Sequence, residues 1–157
     1  MANKMLWRYG DTNPVLLPVS QGLVIEIGDL VCLDAGTAKS ASTLPDLGTK
    51  SANQEAFHDI LVGVAMQHSR SDDTQSIRIA TSGVFEFDCA SATFEIGDLV
   101  GPDEDGTGTE LEDNVVISVA TPNLAVGRCA KRVNPAGTQI LVDVVSTMMR
   151  GGPQAAA

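Results

Sequence analysis

Hydrophobic residues lie in short runs rich in valine, isoleucine and leucine, and polar turns containing glycine or proline separate these runs. With 15 glycines and 7 prolines in the chain, this punctuation is typical of an all-β protein. No window shows a three-turn amphipathic helix, so at most one helical turn is predicted, within residues 51–60. Strands are predicted at residues 15–19, 23–33, 60–67, 75–80, 84–89, 95–100, 115–120, 125–131 and 139–147.

Apolar and polar residues alternate along residues 77–80 and again along residues 84–87, with a Thr-Ser-Gly interruption between them. A three-residue turn with Gly83 in the left-handed region would pair Ile79 with Phe85 and keep the apolar residues on one face. The pattern therefore favours a β-hairpin. A single bent strand with a bulge at Gly83 is the alternative.

One six-residue sequence, Glu-Ile-Gly-Asp-Leu-Val, occurs at residues 26–31 and again, letter for letter, at residues 95–100. Two further similarities follow in the same order. Residues 61–65 resemble residues 125–130, and the alternating run that begins at Ile77 resembles the one that begins at Ile140. Three landmarks in one order indicate two copies of a β unit, at about residues 23–92 and 93–149.

The repeated turn is interpreted as structural. Glycine supplies a backbone angle that β-branched residues avoid, and aspartate caps the turn before a strand. The residues concerned are Gly28 and Asp29 in the first copy and Gly97 and Asp98 in the second.

These patterns predict an all-β fold, a compact β-barrel or β-sandwich built from two pseudo-repeated β units, with long loops and an extended N-terminal arm. The predicted organisation is an N-terminal arm over residues 1–14, a single β domain over residues 15–150 and a flexible tail over residues 151–157.

The charge balance argues against two classes of partner. Ten lysines and arginines against 20 aspartates and glutamates give a formal net charge of -10. A surface this acidic repels the phosphates of nucleic acids and of anionic lipids, so neither a nucleic acid nor a membrane is expected as a partner. The chain has no run of 18 apolar residues and begins without the pattern of a secretory signal. We expect a soluble protein made in a reducing cytoplasm.

No catalytic motif is found in the sequence. His58 and His68 are the two histidines, and no nucleophile elbow, phosphate loop or dinucleotide fingerprint accompanies them. Neither enzymatic activity nor a cofactor is therefore predicted. Three cysteines without a C-x-x-C pair are interpreted as small core residues rather than zinc ligands or disulfide partners: Cys32, Cys89 and Cys129.

The acidic stretch at residues 103–113 matches part of a calcium-binding loop. Asp103, Asp105, Gly106 and Glu112 occupy positions three, five, six and twelve of the loop template. Position one is Gly101, which offers no carboxylate, and the flanking segments have strand patterns instead of helical ones. A solvated acidic loop without a metal is therefore predicted.

The N-terminal segment concentrates aromatic residues, since it holds the one Trp and the one Tyr of the chain. Such a segment either folds back on its own core or docks on a partner, and both interpretations stay open at this point. We take docking on a neighbouring subunit or a capsid as the hypothesis to test, with the interacting residues Met5, Leu6, Trp7, Arg8 and Tyr9.

The ordered motifs resemble those of the capsid cement or decoration proteins of tailed bacteriophages. They are Met-Ala-Asn at residues 1–3, Gly-Asp-Leu-Val at 28–31 and 97–100, Val-Gly-Val-Ala at 62–65, Thr-Ser-Gly-Val-Phe at 81–85 and Val-Gly at 126–127. The resemblance extends from residue 2 to about residue 145.

The resemblance implies a β-rich, non-enzymatic subunit that commonly forms a homotrimer and reinforces the expanded head. The implied partners are the major capsid protein and further copies of the chain, and the implied location is the capsid exterior after assembly in the host cytoplasm. Two other interpretations stay open. One is a β-barrel module that binds a small ligand, calcium or a sugar on a virion or cell-surface structure, and the other is an enzyme whose site is shared between subunits.

Overall fold

The computed structural model describes residues 3–155. Within this range the chain forms eleven strands and two α-helices, with short 3-10 turns at Ala41–Thr43 and Pro122–Leu124. In chain order the elements are β1 (Trp7–Tyr9), β2 (Val15–Leu17), β3 (Leu30–Asp34), β4 (Thr37–Ser40), α1 (Lys50–Asp59), β5 (Leu61–Ala65), β6 (Ile77–Ala80), β7 (Ser82–Phe94), β8 (Leu99–Glu104), β9 (Leu111–Ser118), β10 (Gly127–Cys129), β11 (Val133–Val145) and α2 (Thr147–Arg150).

The first sheet is a closed five-stranded barrel. Strands β2, β6, β5, β3 and β4 lie in that spatial order, and each neighbouring pair is antiparallel. A parallel bridge between Val19, just beyond β2, and Ala38 in β4 joins the two outer strands and closes the circuit. Aliphatic side chains form its core, namely Val19, Ile25, Val31, Ala38, Val62, Ala65, Ile77 and Ile79.

The second sheet closes in the same way. Strands β7, β11, β10, β8 and β9 follow one another, and a parallel pairing of β7 with β9 at Asp88 and Val115 completes the circuit. Strand β1 is added outside this circuit, on the N-terminal part of β7. The core cluster of this sheet also includes residues from β3, β5 and α1, so side chains from both barrels pack in one core. Its members include Leu30, Phe57, Leu61, Phe85, Phe87, Val100, Ile140 and Val142.

The two barrels connect their strands in the same order. The strand after each repeated turn, β3 or β8, pairs with the next strand, β4 or β9, and with a later one, β5 or β10. That later strand pairs in turn with β6 or β11. The prediction of an all-β fold is therefore confirmed, and the residue boundaries of the predicted domains stay a prediction.

The predicted hairpin at Gly83 is wrong. Strand β6 pairs with β2 and β5, whereas β7 pairs with β11, and Gly83 lies opposite Val144. The chain therefore runs from β6 in the first barrel to β7 in the second without reversing, as in the bent-strand alternative. Alternation of apolar and polar residues is the same in both arrangements, and the partners that decide between them lie far away in sequence.

Two predicted strands are also shorter at their N-terminal ends than expected. The sequence pattern predicts continuous strands at residues 23–33 and 95–100, but β3 begins at Leu30 and β8 at Leu99. In both places the Gly-Asp turn precedes the strand, because Gly28 and Gly97 have φ values of 96° and 93° that a regular strand excludes.

Helix α1 is longer than the predicted single turn and spans ten residues. Thr49 caps its start, with Oγ1 accepting a hydrogen bond from the Ala52 N–H at 3.1 Å. The buried side of the helix is mostly polar, since Asn53 and Gln54 are buried beside Phe57. A helix held in this way has no apolar stripe for the sequence pattern to reveal.

The C-terminal segment contacts the second barrel as far as it is described, since the Arg128 guanidinium of β10 donates to the Gln154 carbonyl at 2.6 Å. Gly152 and Pro153 are buried, and the Gly152 N–H donates to the Ser146 carbonyl at 3.0 Å. Residues 156–157 of the predicted flexible tail lie outside the described residues. Within residues 3–155, neither helix is long and apolar enough to cross a lipid bilayer.

Candidate interaction surface

The N-terminal segment is an edge strand of the second sheet. In β1, Trp7 lies opposite Phe85 and Tyr9 opposite Val84. One residue earlier, the Glu86 N–H donates a hydrogen bond to the Leu6 carbonyl at 2.9 Å. The predicted arm is therefore fixed to its own chain through backbone hydrogen bonds.

The five predicted interaction residues separate into an anchor and an exposed set. Leu6 is buried in the core at 7% exposure, while Met5, Trp7 and Tyr9 are 42%, 40% and 52% exposed. The Trp7 indole N–H donates to the Gly10 carbonyl at 3.0 Å, which fixes the ring orientation. Arg8 forms an ion pair with Glu86 at 3.0 Å. The aromatic rings are thus ordered and still accessible.

Residues upstream of β1 cover the first Gly-Asp turn. The Lys4 N–H donates to the Ile27 carbonyl at 3.1 Å, and the Ile27 N–H donates to Asn3 Oδ1 at 3.1 Å. A Cβ on Gly28 would lie 2.7 Å from the Lys4 carbonyl oxygen and 3.1 Å from Leu6 Cγ. Glycine is therefore needed at residue 28 for its positive φ and also for close packing of the arm.

The two repeated turns make the same internal hydrogen bonds. Asp29 Oδ2 accepts from the Glu26 N–H at 2.9 Å, and Asp98 Oδ2 accepts from the Glu95 N–H at 2.9 Å. Each glycine N–H also donates to the strand behind it, Gly28 to Ala65 and Gly97 to Cys129, both at 2.9 Å. Identical sequence thus produces identical turn geometry.

The first turn carries a buried carboxyl group. Asp29 is 4% exposed, and this burial raises its pKa from 3.8 to about 7, although the hydrogen bond from the Glu26 N–H acts in the opposite direction. Asp29 therefore holds its proton more tightly in the folded chain than in the unfolded one.

The surroundings of the cysteines and of His58 indicate that these residues stabilise the fold. All three cysteines are free and buried. Burial raises the pKa of the Cys129 thiol, so the nearby Arg128 and Lys131 do not make it a reactive thiolate. His58 Nδ1 lies 2.8 Å from the Ala125 carbonyl oxygen. A carbonyl only accepts, so this nitrogen carries the proton.

The acidic loop between β8 and β9 is organised by its own side chains. Asp105 Oδ1 accepts from Thr107 Oγ1 at 2.9 Å and from the Thr109 N–H at 3.2 Å, as in a capped turn. Asp103 forms an ion pair with Lys50 at 2.9 Å. Across the described residues, no group of three or more His, Cys, Asp or Glu side chains is placed to hold a metal ion.

His68 lies in an open depression of about 390 Å³ that Asp72 and Asp73 also line. Ser69 borders the same depression, and its buried hydroxyl has no hydrogen-bond partner within the described residues. The binding-module interpretation would use this place. No feature of the sequence singles it out.

Few known proteins resemble this chain. No protein-family model matches the chain. No curated protein matches it either. Among solved structures, the chain is similar to the head fiber gp8.5 N base of bacteriophage phi29, with 10% sequence identity, a TM-score of 0.47, and coverage of 83% of this chain and 93% of that one.

Proposed function

We propose that this protein is a structural virion subunit that binds the outer surface of a tailed-phage capsid and stabilises it as a cement or decoration protein. The proposed partners are the major capsid protein and further copies of the chain in a homotrimer. Assembly takes place in the host cytoplasm. Support comes from the ordered motifs that resemble this class of protein, at residues 28–31, 62–65, 81–85 and 97–100, and from a surface suited to docking.

The exposed aromatic surface of the N-terminal segment carries the proposal. Trp7 and Tyr9 lie on a strand that is already paired with β7, and the buried side chain of Leu6 anchors it. Tryptophan and tyrosine are enriched among the residues that dominate binding energies at interfaces. Since the strand is ordered before binding, docking sacrifices little conformational entropy.

The expected contribution of the two rings to the free energy of binding is large enough to measure. Complete burial of the exposed parts of the two rings would contribute roughly 3–5 kcal/mol before the costs of association. Trp7→Ala combined with Tyr9→Ala should therefore weaken binding to the shell by at least about a hundredfold. Leu6 and the backbone pairing of β1 remain in this variant, so we expect its melting temperature to fall by only a few degrees.

The experiment is co-sedimentation of the purified protein with expanded heads that lack it, prepared from the phage that encodes it. Leu47→Ala is the matched control, because Leu47 is an exposed apolar residue, at 55%, in the loop that precedes α1. We expect wild-type protein and the control to bind and the double variant to remain in the supernatant. Failure of the wild-type protein to sediment with heads would contradict the proposed function.

A further inference from the structure

The two repeated turns are alike in sequence and hydrogen bonding but differ in what covers them. The first turn, residues 26–29, is covered by the arm: Asn3 and Lys4 bind the N–H and the carbonyl of Ile27, and Leu6 packs against Gly28. The arm occupies this turn as a short extended peptide would.

The second turn, residues 95–98, has no such cover within residues 3–155. Ile96, the counterpart of Ile27, is 71% exposed. Neither its N–H nor its carbonyl makes a hydrogen bond to that part of the chain. A Cβ on Gly97 would meet no atom there within 4 Å, whereas one on Gly28 would meet the Lys4 carbonyl oxygen at 2.7 Å.

The second turn therefore presents the same three recognition elements that hold the arm on the first. A backbone donor and a backbone acceptor face outward on one residue, next to a glycine that leaves room for an aliphatic side chain. Extended peptides are commonly bound by main-chain hydrogen bonds with neighbouring contacts for alternate side chains. A large exposed aliphatic residue in the same place adds apolar area that binding would bury.

The charges around the two turns differ, so the segment that fits the second turn differs in charge from the arm. Where the arm lies, its cation Arg8 pairs with Glu86. Around the second turn, the basic residues Arg128, Lys131 and Arg132 outnumber the acidic residues Glu95 and Asp98. Arg128 donates to the Gly97 carbonyl at 2.6 Å, Arg132 pairs with Glu95, and Asp98 accepts a hydrogen bond from the Glu95 N–H within the turn. Within the described residues, Arg128 and the exposed Lys131 have no ion-pair partner. An acidic segment complements this surface and a basic one does not.

We propose that the second turn is a docking site for an extended acidic segment of a neighbouring capsid protein, which binds Ile96 and Gly97 as residues 3–6 of the arm bind Ile27 and Gly28. The setting in a capsid rests on the proposed function. The recognition chemistry rests on the repeated turn alone, and the two are tested separately.

The recognition chemistry is tested with two synthetic peptides and the full chain, using amide chemical shifts in NMR. One peptide has the sequence of residues 3–9, and the other carries Lys4→Glu and Arg8→Glu. We expect the acidic peptide to shift the amides of Ile96 and Gly97, with an affinity that falls as salt is added. Ile96→Ser should weaken this binding by about tenfold or more, because it removes the aliphatic contact. Leu47→Ser is the control and should bind as wild type does.

Absence of shifts at Ile96 with either peptide at millimolar concentration would overturn the proposal, as would shifts confined to Ile27. The capsid setting is tested by co-sedimentation of Ile96→Ser with heads. Reduced binding to heads by a folded variant supports the proposal. Unchanged binding overturns it while leaving the proposed function intact. If the variant instead loses self-association in analytical ultracentrifugation, the occupant is a second copy of the chain and the proposed partner is wrong.

Discussion

Single residues explain why two identical six-residue sequences behave differently. In the first copy Asp29 is buried and its pKa is raised to about 7, and Gly28 is pressed against the arm. In the second copy Asp98 is only half-buried. Residues 3–6 cover the first turn but not the second, and they are distant in sequence from the second turn. The same local residues stand at both turns, whereas the cover over one of them depends on a tertiary contact that no local pattern reveals.

Asp29 leads to an expected pH dependence of stability. A carboxyl group whose pKa is raised from 3.8 to about 7 in the folded protein binds its proton more tightly there than in the unfolded chain. Its contribution is complete below about pH 4 and is lost as the pH rises through 7. We expect Asp29→Asn to reduce the fall in free energy of unfolding between pH 4.5 and 7.5 by at most about 3 kcal/mol.

The measurement is urea denaturation at several pH values. Asn keeps an oxygen that accepts from the Glu26 N–H, so the turn itself is preserved. Asp98→Asn makes the same change at the half-buried turn and serves as the control. If Asp29→Asn has the same pH slope as wild type, Asp29 does not carry the raised pKa.

The glycines of the two turns provide a second matched pair. Both have a positive φ, so Gly97→Ala should cost about 1 kcal/mol through backbone strain alone. Gly28→Ala adds a steric overlap with the Lys4 carbonyl oxygen, and we expect it to cost at least about 1 kcal/mol more. The readouts are the free energy of unfolding and Trp7 fluorescence, which should change on release of the arm for Gly28→Ala alone. Equal effects of the two substitutions would contradict the packing of the arm on the first turn.

Some secondary-structure elements can be predicted from the hydrophobic pattern of the sequence. Others are held by contacts that this pattern does not reveal. Most strands followed from apolar runs, since most of them bury at least one face in a barrel. Strands β1 and β4 lie outside the predicted strands. Helix α1 did not, because polar groups hold it in place: the Gln54 side-chain amide donates to the Pro102 carbonyl at 2.8 Å, and the Asn53 amide donates to Glu104 at 3.1 Å. The connection at Gly83 failed for a different reason, since its strand partners are distant in sequence.

The polar attachment of α1 is tested by Gln54→Ala. This change leaves the buried Pro102 carbonyl without its partner and removes packed atoms, so we expect a loss of about 2 kcal/mol in the free energy of unfolding. Glu55→Ala on the same helix is the control, because Glu55 is exposed, and should change stability by less than about 0.5 kcal/mol. The comparison is made by urea denaturation at one pH. A loss for Gln54→Ala no greater than that of the control would show that this contact does not hold the helix.

At the scale of the whole molecule, two closed barrels with the same strand connectivity share a core. The arm contacts both of them, because it covers a turn of the first barrel and pairs with a strand of the second. The sequence predicts a candidate surface of five consecutive residues, whereas in the structure one of them is buried and others are exposed. Leu6 anchors the segment, and the rings of Trp7 and Tyr9 remain accessible. Composition alone indicates that aromatic residues are concentrated here, but it does not indicate which of them the chain itself buries.

The central claim is that this chain binds the outer surface of a capsid. Cryo-electron microscopy of protein-free expanded heads, before and after incubation with the purified protein, tests it most directly. We expect added density on the outer surface at three-fold or quasi-three-fold positions, with the face that carries Trp7 and Tyr9 toward the shell. Heads that show no added density at saturating protein, or density only on the inner surface, would contradict the claim.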